Sequence, residues 1–487
     1  MSIWCTHRLH SAITVVERVN AMNRSDLEKL SKEEIIDLFL TMYNHFQAKI
    51  AELEARLNMN STNSSKPPST DIWKKPKQTR QKTGKKPGGQ KGHKGHGLKI
   101  QRQPDQTIQH KHKVCKHCKT NLTEIHGTQT DTRYKIDINI QTQLTQHNQI
   151  TTTCPNCQTQ NTPDFPCDLT STIQYGEGVK AISVLFTHYA MVSYDKTQKI
   201  LNDVFDIPIS TGTIVNHVSE FIQKAEPVLN EIPFRLQGES VLHFDETGVN
   251  VNAKKHWLHT ASSEGATFIT VHPKRGQGGT DDNGVLKEFT GIAVHDCWKP
   301  YFKYEKCRHA LCNAHLLREL LGVVENTGQV WASQMMVFLR ESKLVVDRYK
   351  GANQDALPVD YRERFAEQYV QILLLGEQEN PLVVGQRKRS KIRCLLDRFI
   401  DYSGEVCRFM FDFGVPFDNN LAERDIRNVK VKQKVSGGFR STQGARNFGR
   451  IASIIGTSVK QKKSVYSTIV GITNGTVTSL FQKPLYD

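Results

Sequence analysis

The amino-acid sequence predicts a multidomain α+β protein, in which several small modules precede an α/β core that is interrupted by a helical insertion. Three observations support this fold class. The chain has 487 residues, enough for roughly three or four domains. Hydrophobic and polar residues alternate over several strand-length segments after Glu239, which is typical of a sheet. A heptad pattern and two Cys-x-x-Cys pairs lie on the amino-terminal side of these segments.

The composition excludes several protein classes. Hydrophobic residues make up 37% and charged residues 23% of the chain, which is neither wholly disordered nor membrane-embedded. No apolar run approaches the roughly 18 residues that a membrane span needs, and residues 1–20 lack the pattern of a secretory signal. Eleven cysteines in a lysine-rich chain suit metal ligation in a reducing compartment. We expect a cytoplasmic protein without a membrane partner.

The positive charge is concentrated in two segments. The net charge is +16, yet residues 66–120 alone carry +14 and residues 424–463 carry +10. Two basic segments separated by acidic sequence favour a polyanion bound at two places, because each neutralised phosphate releases counterions. The sequence therefore predicts a nucleic-acid partner; two solvated surfaces are the alternative.

Residues 25–57 are predicted to form a coiled-coil helix. Ser31 and Glu34 have the spacing of a capping box. Apolar residues then follow at alternating spacings of three and four, the seam of a coiled coil: Ile36, Phe39, Tyr43, Phe46, Ile50, Leu53 and Leu57. The pattern predicts self-association through this helix, with packing onto its own chain as the alternative.

Residues 58–105 are predicted to be a flexible basic arm. The segment is polar and rich in Gly, Pro and Lys, so it has little apolar surface to offset the entropy of ordering. We expect it to follow DNA phosphates, and a plain linker is the alternative. Its predicted DNA contacts are Lys85, Lys86, Lys91 and Lys94.

Residues 106–165 are predicted to form a zinc ribbon. Four thiolates in two short turns joined by a β-hairpin would make a closed tetrahedral site for one structural Zn²⁺. The alternating segment Tyr134–Ile140 is the expected hairpin strand. The predicted ligands are Cys115, Cys118, Cys154 and Cys157.

Residues 170–237 are predicted to be a helical domain of the helix-turn-helix type. A helix over 196–205 ends at Asp206-Ile207-Pro208, and Ser210 caps a second helix. In a helix-turn-helix the second helix enters the major groove of DNA. An ordinary helical hairpin in the core is the alternative.

The core is predicted to begin at residues 238–316. Three strands in series, then a helix and a fourth strand, indicate a ribonuclease-H-like α/β fold in which the first and fourth strands pair side by side. Asp245 and Asp296 each sit near the end of one of these apolar strands, where a carboxylate is costly unless it is paired or binds a metal. Glu246 should point to the opposite face, because strand residues alternate.

The core should resume after a helical insertion. Residues 317–405 have a helical composition, residues 406–470 form the second part of the core, and residues 471–487 form a tail. A third acid is expected from a helix after the sheet, and Glu423 lies in the first turn of such a helix. With Asn420 as N-cap, however, Glu423 would be a capping-box residue, so both interpretations stay open.

Taken in order, these segments resemble the insertion-sequence 66 type of bacterial DDE transposases. The resemblance runs from about Leu27 to Ile469 and includes the Lys-Pro-Gly-Gly-Gln-Lys-Gly-His arm at 86–93, the four cysteines, the segments around Asp245 and Asp296, Cys-Asn-Ala-His-Leu-Leu-Arg at 312–318, and Asp-Asn-Asn-Leu-Ala-Glu-Arg at 418–424. It implies a catalytic triad of Asp245, Asp296 and Glu423. The residues after Asp296 and the segment after Glu423 depart from the commoner family pattern.

The resemblance implies a DNA cleavage and strand-transfer reaction. Three carboxylates would hold two Mg²⁺ ions per site, which Mn²⁺ could replace. Partners would be double-stranded DNA at the element ends and target, further copies of the chain as a homodimer or larger assembly, and element-encoded helper proteins, in a nucleoid-associated location. Predicted phosphate contacts near the third acid are Arg424, Arg427, Lys430, Lys432 and Lys434.

Two other classes of protein fit the same sequence. One is a non-catalytic zinc-ribbon and helix-turn-helix regulator; the other is a ribonuclease-H-like nuclease that cuts DNA without strand transfer. The paired Cys312 and His315 could bind a metal together with Cys307 and His309, although packing of the helix against the sheet is the favoured interpretation.

Overall fold

The computed structural model describes residues 29–60, 62–64, 100, 102–382 and 389–481. These residues divide into two compact units, one within 1–77 and 146–487, the other within 78–145. In the described ranges, no helix is both long and apolar enough to cross a membrane. The predicted DNA contacts Lys85, Lys86, Lys91 and Lys94 lie outside the described residues.

Helix α1 (Lys32–Asn58) begins where the sequence predicts. The Ser31 side chain accepts from the Glu34 backbone N–H, and the Glu34 carboxylate accepts from the Ser31 N–H at 2.9 Å. The seven seam residues are between 47% and 83% exposed, so the other described residues do not bury this face. Self-association through this helix stays a prediction.

The predicted hairpin strand Tyr134–Ile140 is absent from the described residues, which form no ladder there. Ile136 and Ile138 are 65% and 81% exposed, so neither face is covered. Alternation alone does not make a strand, because its backbone groups need a neighbouring strand. The strands near the second cysteine pair are only two residues long: β1 (Thr152–Thr153) pairs antiparallel with β2 (Gln160–Asn161).

Among the described residues, four α-helices lie between β2 and the main sheet. They are α2 (Glu177–Val184), continued by a π-helical turn Leu185–Tyr189, then α3 (Tyr194–Phe205), α4 (Thr211–Lys224) and α5 (Glu226–Gln237). The predicted cap of the second helix is confirmed, since the Ser210 hydroxyl accepts from the Thr213 N–H at 3.0 Å. Ile214, Val218 and Ile222 of α4 are buried.

The main sheet has five strands in the order β5-β4-β3-β6-β7. They are β3 (Val241–Val251), β4 (Lys254–Ser262), β5 (Thr267–His272), β6 (Ile292–His295) and β7 (Arg308–Leu311), with short helices α6 (Gln277–Asn283) and α7 (Val285–Glu288) between β5 and β6. The first three strands are antiparallel, whereas β6 joins β3 and β7 in parallel. The first and fourth strands are thus neighbours, as predicted.

The two faces of β3 have different environments. Leu242 and Phe244 point into one apolar cluster with Phe289 and Tyr301. Residues at odd positions, such as Val249, point to the other face. The alternation decides on which side of the sheet each acid of the Asp245-Glu246 pair lies.

A helical layer follows β7. It consists of α8 (Asn313–Thr327), α9 (Val330–Gly351), α10 (Val359–Glu379), α11 (Lys391–Asp401) and α12 (Ser403–Phe411). The helical composition predicted for residues 317–405 is confirmed by these helices. They share an apolar cluster around Trp331, Phe338 and Phe399.

Three helices complete the chain: α13 (Asn420–Ser436), α14 (Thr442–Lys460) and α15 (Val465–Thr473). Ile426 and Val429 of α13 pack with Val249 and Val251 of β3. Apolar burial of this kind contributes about 25 cal/mol per Å² and fixes α13 against the odd-position face of the sheet.

Candidate active site

Asp245 and Asp296 lie on neighbouring parallel strands. His243 of β3 is the partner of Val294 of β6, and two further residues along each strand bring Asp245 opposite Asp296. β6 ends at His295, and the backbone turns there because the Asp296 side chain accepts from the Trp298 N–H at 3.1 Å. Parallel pairing therefore places the two carboxylates side by side at the carboxyl end of β6. Asp296 follows a strand end as predicted, whereas Asp245 lies within β3, which continues to Val251 and pairs there with β4.

Glu423 reaches the same region from the first turn of α13. Its Oε1 lies 3.4 Å from an Arg318 guanidinium nitrogen and 3.6 Å from Nδ1 of His315. The N-cap is Asn419, not Asn420, and its side chain makes no capping bond. The capping-box interpretation of Glu423 is therefore wrong, because its carboxylate faces α8 across the site.

Asn419 joins α13 to the strand that carries Asp245. Its Nδ2 donates to the Phe244 carbonyl at 2.7 Å, and its Oδ1 accepts from Nδ1 of His243 at 2.8 Å. Its backbone N–H donates to Sγ of Cys312 at 3.2 Å. Asn419 is 1% exposed. A buried polar side chain whose hydrogen bonds are satisfied holds its neighbours in one arrangement. Asn419 therefore fixes the position of the start of α13 relative to β3.

Asp425 holds the other side of α13. Its Oδ2 accepts from Ser262 and Thr267 at 2.7 Å each and from Nζ of Lys460 at 2.6 Å. These bonds tie the first turns of α13 to β4, β5 and α14. Glu423, two residues before Asp425, therefore lies on a helix that is held by Asn419 on β3 and by Asp425 on β4, β5 and α14.

The acids influence one another electrostatically. Burial raises the pKa of Asp245 well above its usual value, and the charges of Glu246, Asp296 and Glu423 raise it further. Burial, followed by the charge of Glu246, raises the pKa of Asp296 to about 6. Burial disfavours a charged carboxylate and nearby like charges add to that penalty. The site therefore favours a bound cation or protons.

Glu246 lies on the opposite face, as strand alternation predicts. Its Oε1 accepts from Arg275 at 2.6 Å and 2.9 Å, and its Oε2 accepts from the Tyr301 hydroxyl at 2.5 Å. The Arg275 guanidinium also lies 4.5 Å from the centre of the Trp298 ring. Sequence reasoning missed that Glu246 acts electrostatically on both aspartates, since the distance between faces does not appear in a sequence.

Cys312, His315 and Glu423 form the one group in the described part of the chain whose ligand atoms could meet at a metal, all within 4.8 Å. Burial raises the pKa of the Cys312 thiol to about 12. Burial, and after it the charge of Arg318, lowers the pKa of His315. In the described part of the chain, Nδ1 of His315 has no hydrogen-bond partner. Cys307 and His309 do not join the group: Sγ of Cys307 donates to the Tyr304 carbonyl and His309 contacts His295.

A family model described as Transposase IS66 family matches residues 172–447, more than half of the chain and all three acids. The chain belongs to the IS66 transposase family. A second match, to a family of unknown function (DUF6444), covers residues 18–99. No curated protein matches the chain. Membership makes the chain a DNA-processing enzyme of the transposase class.

The basic residues of this transposase that follow Glu423 divide into two groups. Arg424, Arg427 and Lys434 are exposed. Lys430 instead donates from Nζ to the Gly248 carbonyl at 2.7 Å, and Lys432, 6% exposed, donates to the Thr187 carbonyl at 3.1 Å. The prediction that Lys432 contacts phosphate is at odds with this burial, because α13 turns that side toward the α2 region.

Each cysteine pair of the transposase forms the same tight turn. The Cys115 N–H donates to the Thr120 carbonyl and the Cys154 N–H to the Thr159 carbonyl, both at 2.9 Å. The hydrogen bond with Thr120 lowers the pKa of Cys118 to about 7, and the bond with Thr159 does the same for Cys157. Lowered thiol pKa values favour metal-binding thiolates. The two pairs belong to different units.

Proposed function

We propose that this IS66-family transposase binds the terminal repeats of its insertion sequence and uses Asp245, Asp296 and Glu423 for Mg²⁺-dependent DNA cleavage and strand transfer. The observation that carries the proposal is the juxtaposition of Asp245 and Asp296 on parallel neighbouring strands, with Glu423 close enough to raise the pKa of Asp245. The sheet would then be the ribonuclease-H-like core of the sequence prediction.

The donor set fits a hard divalent cation. Carboxylate oxygens are the ligands that Mg²⁺ and Mn²⁺ prefer. Burial, and after it the neighbouring negative charges, raises the pKa values of Asp245 and Asp296, as expected for buried carboxylates without a cation. Asp245, Asp296 and Glu423 would hold the two ions. When bound, Mg²⁺ would supply Lewis-acid stabilisation of the phosphodiester oxygens that form and break bonds.

The surrounding residues keep the acids in place. Arg318 holds the Glu423 carboxylate from α8, and Asn419 fixes the start of α13 on β3. Arg275 and Tyr301 hold Glu246 away on the other face. Active-site geometry must be kept within fractions of an ångström, and these contacts restrain β3 and α13, which carry Asp245 and Glu423.

The DNA would be bound by exposed positive charge. Arg424 and Arg427 lie within one turn of Glu423 and are exposed, so they can contact phosphates that flank the reacting bond. The basic arm, the α3-α4 helix pair and a zinc ribbon would bind the element ends. Phosphate contacts supply affinity, and groove contacts supply specificity.

The test is a cleavage assay of the full chain on DNA that carries the element's terminal repeats. Asp245→Asn, Asp296→Asn and Glu423→Gln keep the side-chain shape but remove the charge, so each should lower Mg²⁺-dependent cleavage at least about a hundredfold. DNA binding, measured with Ca²⁺, should persist. Glu288→Gln, an exposed acid on α7, is the control.

Two outcomes would contradict the proposal. Normal cleavage by Glu423→Gln would remove that residue from the site. Cleavage without joining of 3′ ends to target DNA would identify a nuclease that does not transfer strands. Glu246→Gln is unsuitable as a control, because Glu246 raises the pKa of both aspartates.

A further inference from the structure

The segment after α1 is seated on α8, the helix that contacts Glu423. Asn63 and Ser64 are 3% and 9% exposed, although they follow a helix whose apolar seam is open. We call Asn60 and Thr62–Ser64 the docking segment. Burial of polar residues outside any helix or strand requires specific partners. Partners of Asn63 lie on α8, at the end of α1 and in the segment itself.

The Asn63 side chain connects α1 with α8. Nδ2 of Asn63 donates to the Asn58 carbonyl at 3.0 Å and to Oε2 of Glu325 at 2.6 Å. Asn58 is the last residue of α1, and Glu325 lies in α8. Oδ1 of Asn63 accepts from the Asn60 N–H at 2.8 Å. The Asn63 carboxamide thus satisfies a carbonyl at the end of α1 and binds α8 at once.

Gly322 provides the seat on α8. A Cβ atom at this position would lie 2.2 Å from the carbonyl oxygen of Asn63, much closer than any real contact. The neighbouring atom is backbone, so a side chain could not be accommodated by a rotamer change. Gly322 lies inside a regular helix, where glycine is unfavourable, so flexibility does not explain it. The missing side chain lets the backbone of Asn63 approach α8 closely.

The seat lies on the face of α8 that also holds Glu423. His315, Arg318, Gly322 and Glu325 follow at spacings of three, four and three, which is one face of a helix. His315 and Arg318 contact Glu423. At 1.5 Å per residue, Gly322 is only about 6 Å along the axis from Arg318.

We propose that the docking segment binds this face of α8 and thereby couples the N-terminal helix α1 to the geometry around Glu423. The docking is independent of the proposed function, whereas its consequence for cleavage rests on that function. No described residue covers the seam of α1. Pairing of this seam with a second copy would therefore be linked to order at the catalytic site through one contact.

Hydrogen exchange of the full chain tests the docking. Gly322→Ala should undock the segment, so that peptides spanning residues 58–64 exchange at least about tenfold faster and peptides spanning residues 313–319 lose part of their protection. Gly404→Ala on α12 is the matched control, since a Cβ there meets nothing within 4 Å. Alanine is more favourable than glycine in a helix, so neither variant should lose its fold.

A second pair of variants tests the hydrogen bond. Asn63→Asp places a carboxylate against Glu325 and should also accelerate exchange over residues 58–64. Adding Glu325→Gln restores a donor and should recover most of the protection. Unchanged exchange in Gly322→Ala, or no recovery in the double variant, would overturn the proposal.

Cleavage gives the second readout. Gly322→Ala should cleave DNA more slowly than Gly404→Ala while keeping the oligomeric state of the wild type. Equal cleavage by the two glycine variants, with the segment undocked, would overturn the coupling. A wild-type chain that does not cleave at all would instead contradict the proposed function, and the exchange experiment would still decide the docking.

Discussion

At the scale of single residues, the candidate site concentrates negative charge that the protein alone does not neutralise. Asp245 and Asp296 both have raised pKa values, first because of burial and then because of neighbouring acids. Arg275 and Arg318 pair with Glu246 and Glu423, and no side-chain cation pairs with the two aspartates in the described residues. A bound cation would relieve this repulsion.

This charge predicts the pH dependence of stability without metal. A carboxyl group whose pKa is raised in the folded state binds its proton more tightly there. Its stabilising contribution is present below about pH 4, the unfolded value, and is lost as the pH rises through about 6, the pKa of Asp296. The contribution of this group to the free energy of unfolding, measured by thermal unfolding in a chelator, should therefore fall as the pH rises from about 4 to about 6.

Asp245→Asn should stabilise the metal-free protein at pH 8, because it removes one of the repelling charges. We expect a gain on the order of 1 kcal/mol, or roughly 2–4 °C in the unfolding midpoint, measured by calorimetry in a chelator. Added Mg²⁺ should stabilise the wild type and not the variant. A lower midpoint for Asp245→Asn, with Glu288→Gln unchanged, would contradict this account.

At the scale of elements, α1 is a helix whose apolar face is left exposed by the part of the chain that the structure describes. Phe46 is 51% exposed on the seam, and Asn44 lies off the seam on the same helix. Phe46→Asp should disrupt self-association of the full chain, because a carboxylate in the seam loses its hydration. Asn44→Asp adds the same charge outside the seam and should leave the mass in light scattering unchanged. Equal masses for both variants would exclude pairing through α1.

A second prediction at this scale concerns the two Cys-x-x-Cys turns, which are expected to bind zinc. We predict about one zinc per chain, measured by metal analysis of protein purified under reducing conditions. Cys115→Ser combined with Cys154→Ser should remove it and weaken binding to the element ends, with the catalytic domain still folded. Cys167→Ser, at an exposed cysteine outside both turns, should retain zinc. Wild-type protein without zinc would refute the prediction.

At the scale of the whole molecule, the basic segments flank a more acidic middle. Residues 66–120 carry +14 of the net +16. Deleting residues 66–102 should weaken binding to all DNA sequences and reduce the slope of log affinity against log salt by about 0.9 for each phosphate that the arm neutralises. Binding titrations at several salt concentrations measure this slope. An unchanged slope would mean that the segment is a linker only.

Local patterns in the sequence predicted many of the elements in their order along the chain. The heptads predicted α1, Ser210 predicted the cap of α4, and the alternation after Glu239 predicted β3, β4 and β5. These features depend on neighbours within a few residues, which the sequence contains directly. The prediction of a strand at Tyr134–Ile140 was wrong, because a strand also needs a partner strand that the local pattern does not specify.

The tertiary structure alone decided which side chains meet. Asn419 and Phe244 are 175 residues apart, and Asn63 and Glu325 are 262 residues apart, so no local pattern pairs them. The same is true of Arg318 with Glu423 and of the buried Lys432. Periodicity and spacing in the sequence predicted many of the elements, and the family resemblance implied the three acids. Their contacts depend on how α8 and α13 pack on the sheet, because packing joins residues that are distant along the chain.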